Sequence, residues 1–238
     1  MKLLVSVIDA GEARAAAAAG ADIVDVKNPA EGSLGAPFPA VIAGVRAAVP
    51  AALPVSAAIG DMPNLPGTAA LAALGAARSG AAFVKVGLWG VSTEAEAVDL
   101  LRTVREAVAD AVVVAAAYAD ARRVAHAPLA PELLPRVAHA AGVGICLLDT
   151  AVKDGRGLLE WLSPDALTSF VADAHVAGLQ VALAGALRTE DLPVVRATGA
   201  DIAGVRSAAC ADGRRTGPLD AERVRALRCY ATAGESMS

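Results

Sequence analysis

The chain has 238 residues, of which 55% are hydrophobic and 19% charged, with a net charge of −4 and a pI near 5.4. This balance excludes a disordered chain. The arginines are scattered with no basic stripe, and aromatic residues make up only 3% of the chain, so a nucleic-acid partner is not expected.

The first apolar run of strand length covers residues 3–8. The opening MKLLVSVIDAGEAR reaches Asp9 and Glu12 too soon for a signal peptide. Further runs follow at 22–27, 53–59, 82–87, 111–118, 143–149, 179–185 and 201–206. Each is too short for a helix and rich in Val, Ile, Leu or Ala. Between them lie helical patterns with recognisable starts. Pro66 opens TAALAALGAARSG, Thr93 with Glu96 forms a capping box, and Ser163 caps a helix with Pro164 at its first position. Thr189 precedes EDLPVVRAT and Asp220 precedes AERVRALRCY. Helices close on glycine before the next strand, as in AAGAD, SGAAF, AAGVG, VAGLQ and TGAD. GADIVDVK (20–27) echoes GADIAGVR (199–206), so repeated βα units are expected.

Eight such units close into a single (β/α)8 TIM barrel over residues 1–230, with a loose tail at 231–238. An open doubly wound sheet would require a glycine-rich dinucleotide fingerprint after the first strand, and VSVIDAGEA has none. No run of about 20 residues stays apolar, so no membrane span is expected. The three cysteines, Cys146, Cys210 and Cys229, form no C-x-x-C and fit a reduced cytoplasmic compartment. Cys210 has no nearby histidine and reads as a small buried or half-buried residue. His126, His139 and His175 have no metal-ligand spacing, so no metal and no cofactor is expected.

Of the 21 basic residues only four are lysine: Lys2, Lys27, Lys85 and Lys153. Lysine differs from arginine in that its amine loses a proton on burial and then acts as a base or nucleophile. Lys27, Lys85 and Asp149 fall at the C-terminal ends of strands two, four and six, the end where barrels carry their chemistry, and Lys153 follows in the next loop. Strand periodicity turns Asp25 to the same side as Lys27. Strands two, four and six belong to one alternating set, so these side chains are expected in one topmost layer. Two ammonium groups held close lower each other's pKa. A neutral lysine attacks a carbonyl to form a Schiff base, and a second lysine or a carboxylate then moves a proton. The competing reading is a rim of ion pairs, Lys27 with Asp25 and Lys153 with Asp149 or Asp154. The loops after strands seven and eight are the barrel's usual phosphate sites, which singles out Gly185, Ala186, Arg206 and Ser207. The loop EGSLG, with Ser33, is a further candidate for an anion.

The segments GADIVDVKNPAEGSLGAPFP, SAAIGDMPNLPGT, KVGLWGV, AAAYADA, LLDTAVKDG, ALAGAL and ADIAGVRSAAC run through almost the whole chain. They resemble the (5-formylfuran-3-yl)methyl phosphate synthase family, also called 4-(hydroxymethyl)-2-furancarboxaldehyde-phosphate synthase, of methanofuran biosynthesis. The resemblance implies the same barrel, a homo-oligomer, and a synthase or lyase that joins two glyceraldehyde 3-phosphate molecules with loss of phosphate and water. It implies Lys27 as the Schiff-base lysine and Lys85 as the proton-transferring lysine. Asp25, Asp149 and Lys153 match without separate roles. Two alternatives stand beside it: a Schiff-base aldolase that stops at a linear product, and a barrel that binds sugar phosphates without turnover.

Overall fold

A computed structural model describes residues 1–232. The order of elements is regular: strand β1 (Lys2–Val7) leads to helix α1 (Ala10–Ala18), β2 (Ile23–Val26) to α2 (Pro39–Ala48), and β3 (Val55–Pro63) to α3 (Pro66–Arg78). Then come β4 (Phe83–Gly90), α4 (Glu94–Ala107), β5 (Val112–Tyr118), α5 (Leu134–Ala141), β6 (Ile145–Asp149) and α6 (Pro164–Val176). The chain finishes with β7 (Gln180–Leu183), α7 (Leu192–Ala197), β8 (Ile202–Val205) and α8 (Ala221–Thr232). The eight strands are parallel and close in chain order, β8 pairing with β1. This is a single (β/α)8 TIM barrel. Of the expected tail, residues 231 and 232 complete α8, and 233–238 lie outside the described residues.

The expected caps form. Thr93 and Glu96 make a reciprocal capping box at the start of α4, and Ser163 accepts from the Ala166 N–H at the start of α6. Gly142 closes α5 in a left-handed conformation, φ 68°, which glycine adopts without a Cβ clash. At Thr189 the chain takes a short 3₁₀ turn first, and α7 begins only at Leu192.

The apolar residues divide into two layers because successive strand residues face opposite ways. The larger layer joins the outside of the barrel to the helices, with Val5, Val86, Leu100, Leu101, Leu148 and Val195 wholly or almost wholly buried. Truncating one of these leucines to alanine costs about 2–5 kcal/mol. The smaller layer is inside the barrel and includes Ile23, Ala58, Val114, Ile145, Leu147 and Ile202. Leu34, from the loop after β2, joins this inner group and is fully buried. The barrel top is therefore plugged on one side by a loop residue and open on the other. Among the described residues no helix is long and apolar enough to cross a membrane, and no cluster of His, Cys, Asp and Glu could hold a metal ion. All three histidines are exposed. Cys146 and Cys210 are buried free thiols and Cys229 is exposed.

Candidate active site

The open part of the barrel top leads into a cavity of about 320 Å³ lined by Lys27, Lys85, Asp149, Lys153, Ser6 and Ser56, with an apolar floor that includes Ile23, Phe83, Leu147 and Ile202. Asp25, Lys27, Lys85 and Asp149 are all buried, Lys27 being 8% exposed. Strand alternation and the barrel's closure bring them together from β2, β4 and β6. They do not share one layer. Strand registers pair Asp25 with Ser56 and Ser56 with Phe83. With the one-residue stagger per strand of a barrel of shear eight, Lys85 is then level with Asp25. Lys27 and Asp149 sit one inward-facing position higher, level with Gly87. A side chain at Gly87 would collide with the Tyr118 hydroxyl, its Cβ falling 2.3 Å from that oxygen.

The ion pairs follow this layering. Lys85 Nζ donates to Asp25 Oδ2 at 2.6 Å, and Ser6 Oγ donates to the same oxygen at 2.9 Å. Lys153 Nζ donates to Asp149 Oδ1 at 2.7 Å and to Thr150 Oγ1 at 3.2 Å. So the expected Lys153–Asp149 pair forms, while Asp25 is taken by Lys85 and not by Lys27. Lys27 Nζ makes no hydrogen bond or ion pair among the described residues.

That isolation has an electrostatic consequence. Burial lowers the Lys27 amine from an ordinary 10.5 to about 7. Asp149 opposes the shift, Lys85 and Lys153 add to it by repulsion, and Asp25 opposes it again. Burial alone would raise the Asp149 carboxyl, but Lys153 and Lys27 outweigh it, with hydrogen bonds from Lys153 and the Thr150 N–H, and hold it at about 2. The site thus holds an ionised carboxylate beside a lysine that is half neutral near pH 7, a combination suited to nucleophilic attack on a carbonyl.

The anion candidates separate. Gly185 and Ala186 line the cavity, both at positive φ, 104° and 48°. A Cβ at Gly185 would fall 3.0 Å from the Thr150 backbone nitrogen, so only glycine fits there. Ser207 also lines the cavity, at the start of a 3₁₀ turn (Ser207–Ala209). Arg206 lines the cavity too, but its guanidinium is engaged within the protein. Its Nε donates to Arg215 O, Nη1 to Ser6 O and Glu12, and Nη2 to Glu12 and Gly217 O. All five guanidinium N–H groups are used, so Arg206 clamps α1 and the last loop together and has no donor left for a ligand. Ser33 is engaged as well. Its hydroxyl donates to Thr150 O at 2.8 Å and its N–H donates to Asp61 Oδ2 at 2.7 Å. It is buried and lies outside the cavity lining, and a phosphate brought to this loop would meet the Asp61 carboxylate.

Asp61 and Arg215 have no role in the sequence reading, and Asp120 offers there only its place after strand five. Asp61 accepts from Ser33 N–H, Leu34 N–H and the Tyr118 hydroxyl, the last at 2.5 Å, and so pins the loop that carries the Leu34 plug. Asp120 accepts from the N–H groups of Ala151 and Val152 and braces the loop bearing Lys153. Arg215 lines the mouth and donates to Gly32 O at 2.8 Å, bridging the last loop to the loop after β2. Its only sequence signal is the arginine pair in DGRRTG.

Known proteins resemble this chain along almost its whole length. The model of the 4-HFC-P synthase family matches residues 3–228. The chain is 50% identical over 233 residues to the (5-formylfuran-3-yl)methyl phosphate synthase of Methanocaldococcus jannaschii, covering 96% of this chain and 98% of that one. It is 50% identical over 232 residues to the protein of that name from Methanothermobacter thermautotrophicus, covering 96% and 98%. Among solved structures it resembles the phosphoribosyl anthranilate isomerase of Thermus thermophilus, with a TM-score of 0.62 and 18% identity over 98% of this chain and 99% of that one. A 3-hexulose-6-phosphate synthase gives a TM-score of 0.60 at 21% identity, covering 95% and 99%. The structural likenesses speak for the barrel alone. The sequence identity reaches further, along both chains nearly end to end, and on it this chain belongs to the 4-HFC-P synthase family.

Proposed function

We propose that the protein is a (5-formylfuran-3-yl)methyl phosphate synthase that condenses two molecules of glyceraldehyde 3-phosphate through an imine on Lys27. The observation that carries this reading is the contrast among the three cavity lysines: Lys85 and Lys153 are each paired to a carboxylate, while Lys27 is unpaired and lowered to about 7. The names of the relatives, at about half identity, support the product.

The Lys27 amine adds to the aldehyde carbon of one triose phosphate and water leaves, giving the imine. The imine withdraws electrons from the next carbon, and the Lys85–Asp25 pair, one position deeper, handles the proton on it. The resulting enamine carbon attacks the aldehyde of a second triose phosphate. Loss of one phosphate and two waters and closure of the ring balance two three-carbon phosphates against one furan aldehyde phosphate. Asp149 stays ionised and holds the Lys153 ammonium at the rim, facing charge that develops as phosphate departs. The backbone at Gly185, Ala186 and Ser207 and the Arg215 guanidinium supply donors for the phosphate that is retained. The protein works without a bound cofactor, in the cytoplasm and as a homo-oligomer.

The test is product identification. Incubation with glyceraldehyde 3-phosphate is expected to release one phosphate per product and to yield a near-ultraviolet chromophore of the mass of the furan aldehyde phosphate. A six-carbon linear adduct without the chromophore makes the protein an aldolase. Saturable binding without turnover makes it a sugar-phosphate-binding barrel.

A further inference from the structure

Two polar atoms beside the paired Lys85 have no partner among the described residues: Asp25 Oδ1 and Ser56 Oγ. Their residues are 0% and 1% exposed and are register partners on β2 and β3. A buried polar group left without a hydrogen bond costs about 1–3 kcal/mol, and native proteins rarely keep one without a use. The other carboxylate oxygen of Asp25 is fully engaged by Ser6 and Lys85. Ser56 lines the cavity, as does the Lys85 that holds Asp25, so the two unpartnered atoms lie in the layer of side chains directly beneath the cavity.

Their chemistry defines what fits. Asp25 Oδ1 only accepts, while Ser56 Oγ both donates and accepts. A carbonyl or phosphate oxygen would be repelled by the carboxylate. A hydroxyl satisfies both at once, donating to Asp25 Oδ1 and accepting from Ser56 Oγ. We infer that Asp25 Oδ1 and Ser56 Oγ bind a substrate hydroxyl, the one on the carbon next to the Lys27 imine. The inference rests on the imine reading above. Depth supports the assignment: Lys85 and Asp25 lie one position below Lys27, and the proposed chemistry has this pair act on the carbon next to the imine. Ser56 is then a substrate-binding residue and sets specificity for 2-hydroxyaldehydes. Sites built to hydrogen-bond a hydroxyl discriminate strongly against analogues that lack it, because their own polar groups stay unpaired.

The experiment compares borohydride trapping of glyceraldehyde 3-phosphate with trapping of its 2-deoxy analogue, 3-phosphooxypropanal, on the wild type and on Ser56→Ala, with thermal melting recorded for both. The wild type is expected to trap the hydroxyaldehyde at least about tenfold more efficiently, and Ser56→Ala to lose most of that preference. Equal trapping of both aldehydes by the wild type overturns the assignment while leaving the imine intact, and this arm needs no variant. A preference unchanged in Ser56→Ala, with only a shifted melting temperature, also overturns it and makes the pair a structural water site. A wild type that traps neither aldehyde refutes the imine reading itself, and the hydroxyl site with it.

Discussion

Lys27 is costly to fold, and the cost is measurable. Its amine titrates near 7 in the folded chain and near 10.5 in the unfolded one. Between those values the unfolded chain binds more protons, so folding stability rises with pH across the window from 7 to 10.5. Each pKa unit corresponds to about 1.4 kcal/mol. Below pH 7 the protonated, buried lysine therefore destabilises the fold by about 5 kcal/mol, an order-of-magnitude figure that already contains the opposing attraction of Asp149 and Asp25. Lys27→Met keeps the apolar stem and removes the titrating amine. Chemical denaturation at pH 6 is expected to find the Met variant more stable by a few kcal/mol, up to about 5. The advantage should shrink by about 1.4 kcal/mol for each pH unit above 7. A Met variant less stable than the wild type at pH 6, or a gap that does not change between pH 6 and pH 9, would refute the reasoning.

Three further outcomes are expected. The rate of imine formation should rise with pH and level off above an inflection near 7. Because repulsion from Lys153 lowers Lys27, Lys153→Met should move that inflection upward, and stopped-flow trapping across pH 5.5–9 checks both. Asp61→Ala removes the acceptor for two loop N–H groups and the Tyr118 hydroxyl. It should destabilise the protein by about 2–4 kcal/mol and expose residues 28–35 to proteolysis; an unchanged cleavage pattern counts against the plug. Arg206→Met leaves the half-buried Glu12 without its ion pair and should cost about 3 kcal/mol, with the affinity for inorganic phosphate unchanged in whatever fraction stays folded. A selective loss of phosphate affinity at unchanged stability would restore Arg206 as a direct ligand.

The barrel was legible because its signals are local. Glycine stops, capping residues such as Thr93 and Ser163, and short apolar runs each depend on a few neighbouring residues. The gathering of Lys27, Lys85, Asp25, Asp149 and Lys153 was also legible, since a parallel barrel sends the C-terminal ends of its strands to one mouth and this chain is sparing with lysine. What the sequence hides is long-range. The stagger between strands lowers Lys85 by one position and lets it take Asp25, which no single strand reveals. Arg206 is claimed by Glu12, 194 positions earlier in the chain, so a loop arginine that reads as a phosphate ligand is a structural clamp. Asp61 lies past the strand run expected at 53–59, whereas β3 continues irregularly through it to Pro63. Ser6 and Ser56 are unremarkable serines in apolar strands until the barrel closes and turns them toward Asp25.

The central claim is that the unpaired lysine forms the imine. Incubating the protein with glyceraldehyde 3-phosphate and borohydride, followed by peptide mass spectrometry, tests it most directly. The expected result is one triose phosphate adduct per chain, on Lys27, and none on Lys27→Arg, because the site uses the neutral amine and not the charge. An adduct on Lys85 or Lys153, no adduct at all, or appreciable turnover by Lys27→Arg would contradict the account.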